Sequence, residues 1–235
     1  MRRVLSPSDF GIIRRKMIKI QKLPAPAVIV ENGPGWTEAL LAKIAAGQKP
    51  TDAERSKYRH ADIKKTLLEE THGKCAYCES KLRHIAYGDV EHIVPKSSTP
   101  ALSFCWPNLT LACDICNTNK SDFRGNHDTF VDPYSVDPSS VFYFAGPLLM
   151  ARPTCEAAAA TERLLDLNRS DLFEKRREKI KNLAAQVEVY ARTQDPTLKA
   201  ILRRDIEDHE TSADKEYAGL ARQFLRELLE KNPNL

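Results

Sequence analysis

CAYCESKL (75–82), GDVEHIVPKS (88–97) and WPNLTLACDICNTNKSD (106–122) fall within one span of fewer than fifty residues. Two Cys-x-x-Cys pairs, Cys75/Cys78 and Cys113/Cys116, bracket that span. A pair separated by two residues can bend back to offer both sulfurs to one ion at about 2.3 Å, and two pairs complete a closed tetrahedral four-cysteine zinc site. The interval of 34 residues between Cys78 and Cys113 exceeds the roughly 15–20 of a plain zinc ribbon. A further element is therefore inserted between the knuckles. It carries the polar groups with chemical potential: Asp89, Glu91, His92 and Asn108, followed by Asn117 beyond the second knuckle.

Read in order, Cys-x-x-Cys, acid-His, Pro-Lys, Asn-Leu and Cys-x-x-Cys-Asn-x-x-Lys resemble the HNH endonuclease family throughout. The resemblance implies a small ββα-metal finger on a zinc held by Cys75, Cys78, Cys113 and Cys116. A closer resemblance is to the HNH nuclease subunits of the Septu anti-phage systems, also found in some retron systems. It rests on CAYCE, VEHIVPK, WPNLTLAC with CNTNKSD, and the later TERLLDLNR (161–169). The specific motifs cover about a third of the chain.

The resemblance implies roles as well. His92 would be the general base, since a neutral imidazole with an ordinary pKa of about 6.5 can take a proton from water at physiological pH. Glu91 and Asn117 would supply hard oxygen ligands to a catalytic Mg²⁺ or Mn²⁺, an ion that acts as Lewis acid on a phosphate. Asn108 would tie the loop and orient His92. The family's first acid is commonly Asp and its last signature residue often His, whereas this chain has Glu91 and Asn117. Asp89 lies two residues before Glu91, on the same face of a strand, and could share or take over the metal role. Lys120 could reach a phosphate or be solvated.

Other cysteines and histidines carry less. Cys105 and Cys155 are unpaired by motif and read as small, partly buried apolar residues. His60, His72, His84 and His209 show no ligand-like grouping, and His127 reads as a turn residue.

With 235 residues, 42% apolar content and 29% charge, and a mean hydropathy of −0.46, the chain suits a soluble protein with an ample core. No stretch approaches the roughly 20 apolar residues of a membrane span, and the start MRRVLSPSDFGIIRRK has no secretory apolar region. Four cysteines in knuckles suit a reducing compartment, so a cytoplasmic location is expected. The net charge of +4 is a weak nucleic-acid argument. Its distribution says more: residues 1–50 hold nine Lys/Arg against three Asp/Glu. Such an arm either neutralises backbone phosphates or faces a partner. FEKRREKIK (173–181) mixes both signs and reads as a solvated helix face.

Periodicity predicts a helix at about 8–20, a Pro-rich break at 23–35, an amphipathic helix at 36–47, and a helix over 52–71 capped by Thr51-Asp52. Short strands around Val90 and Ile93 and a helix at 114–122 complete the finger. Residues 132–153 are too rich in proline for a long helix, with VFYF (141–144) a plausible strand. Helices follow at about 158–165, 170–193, 196–209 and 213–231, with Ile180, Leu183 and Val187 as a core stripe. The expected organisation is a helical region with a basic arm (1–72), the zinc-stapled finger (73–130), a Pro-rich connector (131–155) and a C-terminal helical region (156–235).

The fold expected is mainly α, with the ββα finger embedded in it. The function expected is metal-dependent hydrolysis of nucleic-acid phosphodiester bonds, DNA favoured, as the nuclease subunit of a prokaryotic anti-phage complex. The Septu resemblance implies an ABC-type or SMC-like ATPase partner. An RNA- or tRNA-directed nuclease and a catalytically silent zinc adaptor are the alternatives. The basic N-terminal segment or the C-terminal helices are expected to dock the partner, and residues 196–235 to be dispensable for zinc binding.

Overall fold

The computed structural model describes residues 17–82, 88–123 and 129–231. Among these, helices dominate, and two two-stranded antiparallel sheets interrupt them. The fold is mainly α with a ββα finger at its centre.

Residues 17–26 carry no regular structure. The helix expected over 8–20 is thus absent from its described part, and residues 8–16 lie outside the described residues. Lys22 fixes this segment. Its Nζ donates to Glu70 Oε1 at 2.9 Å and to the Leu109 carbonyl, and it lies 4.0 Å from the centre of the Trp106 ring. Trp106 Nε1 in turn donates to the Leu23 carbonyl at 2.7 Å.

Helix α1 (Ala27–Ala45) begins directly after Pro26, not at Trp36, and Pro34 lies inside it. An internal proline removes one helical N–H. The carbonyl it leaves free belongs to Val30, which is 64% exposed, so water can satisfy it. The Pro-rich break expected over 23–35 is therefore helical from Ala27 onward and irregular only over 23–26.

Thr51 caps α2 (Asp52–Arg55) through a reciprocal pair with Glu54, but the helix does not run on to residue 71. A 3₁₀ turn (Lys57–Arg59) follows, then α3 (Ala61–Glu70). His60 is extended, and its Nδ1 accepts the Asp62 N–H at 3.2 Å, capping the chain afresh. The interruption turns Tyr58 into the interior at 4% exposure while Arg59 and His60 stay outside.

Strand β1 (Asp89–His92) pairs antiparallel with β2 (Leu109–Ala112), Asp89 opposite Ala112 and His92 opposite Leu109. Helix α4 (Asp114–Lys120) closes the finger, ending where Ser121 takes a φ of 45°. Val90, Leu109 and Leu111 pack against Ile63 and Leu67 of α3 and Ile29 and Leu40 of α1. Ile63, Leu67, Leu109 and Leu111 are all fully buried, each contributing about 1.5–3 kcal/mol.

The Pro-rich connector folds as α5 (Pro138–Val141) and a hairpin of β3 (Phe142–Ala145) and β4 (Leu148–Ala151). Gly146, at φ 60°, supplies the left-handed turn residue that only glycine adopts without strain. Helices α6 (Glu156–Leu164), α7 (Ser170–Arg192), α8 (Pro196–Ile206) and α9 (Ala218–Lys231) follow, with a π-helical turn at Glu207–Thr211. Leu183, Val187 and Tyr190 of α7 pack on Ile206, Ala221, Leu225 and Leu229, while Ile180 joins the core beside the finger.

The C-terminal helices are latched to the first knuckle. Lys74 Nζ donates to the carbonyls of Ala213 and Lys215 at 2.6 and 3.1 Å. Ser80 and Tyr217 share a hydroxyl bond of 2.8 Å, and the N–H groups of Lys81 and Gly219 reach Glu216 and Glu79. Removing residues 196–235 would strip these contacts from the turn that carries Cys75 and Cys78, which argues against the expectation that the segment is dispensable for zinc. No helix among the described residues is long and apolar enough to cross a membrane.

Candidate active site

Local hydrogen bonding shapes both knuckles. In the first, the Cys75 N–H donates to the Ser80 carbonyl at 2.9 Å and the Glu79 N–H to the Cys75 carbonyl at 3.1 Å, with Glu79 at a φ of 63°. The Ala76 N–H donates to the Leu111 carbonyl at 2.9 Å, joining this turn to β2. In the second knuckle, Cys113 is the N-cap of α4, its Sγ facing the Cys116 N–H at 3.5 Å. The sulfurs of Cys75, Cys78, Cys113 and Cys116 lie within 4.8 Å of one another.

The Cys78–Cys113 sulfur separation of 3.9 Å rules out a disulfide of about 2.05 Å. It is close to the roughly 3.8 Å that Zn–S bonds of about 2.3 Å impose on a tetrahedron. Four soft donors in a closed cage fit a structural zinc. Arg169, the last residue of TERLLDLNR, lays its guanidinium beside the second knuckle, 3.7 Å from Cys116 Sγ and 4.0 Å from Cys113 Sγ. It supplies positive charge next to thiolates. Asn168, one residue earlier, bonds both the N–H and the carbonyl of Leu149 at 2.8 Å and so holds the β3–β4 hairpin. The sequence marked this motif without a reason for it.

The hairpin then presents its side chains alternately. Asp89 and Glu91 face α4, whereas Val90 and His92 face the α1–α3 side. Asp89 is exposed and accepts a hydrogen bond from Asn117 Nδ2 at 3.1 Å. Glu91 is buried, and its Oε1 accepts from Lys120 Nζ at 2.7 Å; the same ammonium donates to the His92 carbonyl at 2.7 Å. Lys120, which could have been solvated, is instead taken up inside the protein. It is 1% exposed and pins α4 to β1. Burial raises the Glu91 carboxyl above its ordinary pKa, with the charge of Lys120 opposing. The structure brings Asn117 to Asp89 and gives Glu91 a lysine partner.

His92 is 5% exposed. Its Nε2 lies 2.9 Å from the Ser103 carbonyl. A carbonyl only accepts, so Nε2 carries the proton and the neutral ring keeps its lone pair at Nδ1. Burial lowers the imidazole pKa to about 4, assisted by the charges of Lys96 and Lys120 and opposed by the Ser103 bond. Asn108 closes the 93–108 loop. Its Oδ1 accepts the Val94 N–H at 2.8 Å, and its Nδ2 donates to the carbonyls of Val94 at 3.0 Å and Leu102 at 3.2 Å. Ser103, whose carbonyl holds His92, immediately follows Leu102. The bond from Asn108 thus reaches the neighbour of the residue that orients the imidazole.

Among the remaining histidines, His60 caps α3 and His209 is exposed beside Asp205. His72 is exposed at the end of α3, and His84 and His127 lie outside the described residues. Tyr58, Lys96, Arg169 and the Ser103 carbonyl surround the site without having been singled out. Only Lys96 and Arg169 stood in quoted motifs. No periodicity could have linked Tyr58 to residue 92.

A closed four-sulfur cage, an antiparallel strand pair bearing an acid and a histidine, and a helix bearing an amide opposite that pair make up a ββα finger. Residues 75–123 match the family described as HNH endonuclease. The chain is also similar to two curated relatives. It is 37% identical over 79 residues to "Septu protein PtuB" of Bacillus thuringiensis, covering 33% of this chain and 31% of that protein. It is 30% identical over 117 residues to "Septu protein PtuB" of Bacillus mycoides (strain KBAB4), covering 43% and 40% respectively. The chain thus matches well under half the length of each relative.

Proposed function

We propose that the chain is a metal-dependent endonuclease hydrolysing nucleic-acid phosphodiester bonds, with DNA as the first substrate and anti-phage defence as its setting. The observation that carries this reading is the anchored imidazole. His92 is held at Nε2 by the Ser103 carbonyl and kept neutral by burial, with an unprotonated Nδ1 that has no hydrogen-bond partner among the described residues. That is the state a general base requires.

Asp89, Glu91 and Asn117 offer hard oxygens between β1 and α4, a donor set suited to Mg²⁺ or Mn²⁺. Such an ion, when bound, supplies Lewis-acid stabilisation of a phosphoryl group and its leaving oxygen. Glu91 and Asn117 are the ligands assigned first. The Asp89–Asn117 contact and the Lys120 partner at Glu91 Oε1 support Asp89 as a sharing ligand. His92 takes the proton of the attacking water at Nδ1, and Asn108 preserves the loop that orients it. The zinc cage takes no part beyond placing the start of α4.

The similarity to two proteins named Septu PtuB supports the defence setting. An ATPase partner that licenses cutting is part of the proposal, as is an RNA substrate in second place. The experiment is cleavage of a supercoiled plasmid and of a labelled RNA by purified chain, alone and with the product of the neighbouring gene, with Mg²⁺, Mn²⁺ or EDTA. Metal-dependent nicking or linearisation of the plasmid supports the proposal. Intact DNA and RNA under every condition would leave a zinc adaptor as the reading.

A further inference from the structure

Tyr58 is far from the finger in sequence, yet its ring meets the His92 ring edge to face. The centroids are 4.5 Å apart and the planes at 79°. The imidazole is therefore restrained twice, by the Ser103 carbonyl at Nε2 and by the Tyr58 ring. The other end of the same tyrosine holds a cation. Its hydroxyl accepts from Lys96 Nζ at 2.6 Å, and that ammonium lies 4.4 Å from the ring centre. The Arg59 guanidinium stands 5.7 Å from the same ring.

The lysines around the hairpin differ in one respect. Lys22 is paired with Glu70 and Lys120 with Glu91. Lys96 is half-buried, and no carboxylate pairs with it among the described residues. Tyr58 is its single hydrogen-bond partner there. An ammonium has three N–H donors, so two remain for an anion. Lys96 follows His92 by four residues in a loop that Asn108 closes on both sides. Its charge is felt by the Glu91 carboxylate without an ion-pair contact between them, so an ammonium held by an aromatic group beside a base, with N–H donors to spare, is preorganised for a phosphate oxygen.

We propose that Lys96 contacts a non-bridging oxygen of the phosphate under attack, and that Tyr58 is a positioning residue holding both the His92 ring and the Lys96 ammonium. This deepens the nuclease reading and rests on it. Tyr58 thereby makes the break between α2 and α3 part of the site.

The test uses the full chain with Lys96→Gln, Lys96→Arg, Tyr58→Phe and Tyr58→Leu, each checked for zinc content and thermal unfolding. Single-turnover cleavage of a labelled DNA duplex with Mn²⁺ is measured for each. Binding of the same duplex is followed by anisotropy in a His92→Ala background over a salt series. Lys96→Gln is expected to slow cleavage on the order of 10²-fold and to reduce the salt slope of binding by about one. Lys96→Arg is expected to recover most of both. Tyr58→Phe keeps the ring but frees Lys96 and should lose about tenfold, less than Tyr58→Leu. The salt slope is a readout that a purely structural lysine would not move. If Lys96→Gln cuts and binds like the parent chain with zinc intact, the proposal fails while the nuclease reading stands. A parent chain that neither binds nor cuts brings down both.

Discussion

Glu91 and Lys120 are 7% and 1% exposed, and removing either leaves the other's charge inside the protein. Breaking such a pair typically costs about 3–5 kcal/mol. Glu91→Ala is therefore expected to lower the urea midpoint by that order and to lose cleavage that added Mn²⁺ does not restore. Asn117→Ala gives up one bond to an exposed neighbour. It is expected to keep its stability and to regain part of its cleavage as Mn²⁺ is raised. Equal stability for the two variants would contradict the buried pair. His92 carries a pH signature with a definite sign. Its pKa falls from about 6.5 unfolded to about 4 folded, so between those values the unfolded chain binds a proton that the folded one refuses. Stability is lost as pH drops from about 6.5 toward 4. Comparing urea midpoints across that range, His92→Gln should flatten the decline. A parallel decline in both proteins would contradict the burial of a neutral imidazole. Cleavage, for the same reason, should not be halved near pH 6.5 by protonation of His92.

Elements were legible where a local rule decided them. The Thr51 cap, the cysteine turns, the finger's order and α7 follow from residues within a few positions of one another. The misses lie where solvent exposure or tertiary contacts, not a local rule, decide the structure. α1 runs through Pro34 because its exposed flank lets water take the freed carbonyl. The 52–71 helix breaks at His60, and the break seats Tyr58 in the core behind β1. The candidate site was legible as a set of residue types, but not in its pairings. No spacing tells that Lys120 turns inward to Glu91 or that Asn117 meets Asp89. The latch between Lys74, Ser80 and Lys81 and the 213–219 segment was equally invisible, since about 140 residues separate its halves. It changes how partner docking should be tested. Truncation of residues 196–235 is expected to lower zinc content along with any partner binding. The surface itself is better probed with Leu198→Asp and Ile201→Asp, which are 48% and 60% exposed on α8. These should retain zinc by metal analysis. Loss of co-purification with the neighbouring gene product would place docking there, and full retention would move it to residues 1–35.

At the scale of the whole molecule, the four-cysteine cage joins separate parts of the fold. Cys75 and Cys78 sit on the turn held by the C-terminal latch, Cys113 and Cys116 begin the helix that carries Asn117 and Lys120, and Arg169 of the segment before α7 lies against their sulfurs. Structural zinc contributes folding energy directly. Cys113→Ser is expected to lose zinc and solubility together, and well-folded parent protein without zinc would contradict the cage. The central claim is that this scaffold exists to hold His92 as a base. The most direct measurement is cleavage by His92→Ala, with zinc content and unfolding recorded on the same preparation. The expected result is a loss of about 10²–10⁴ in rate with one zinc per chain and a folded protein retained. Cleavage at the parent rate by that zinc-loaded variant would contradict the account.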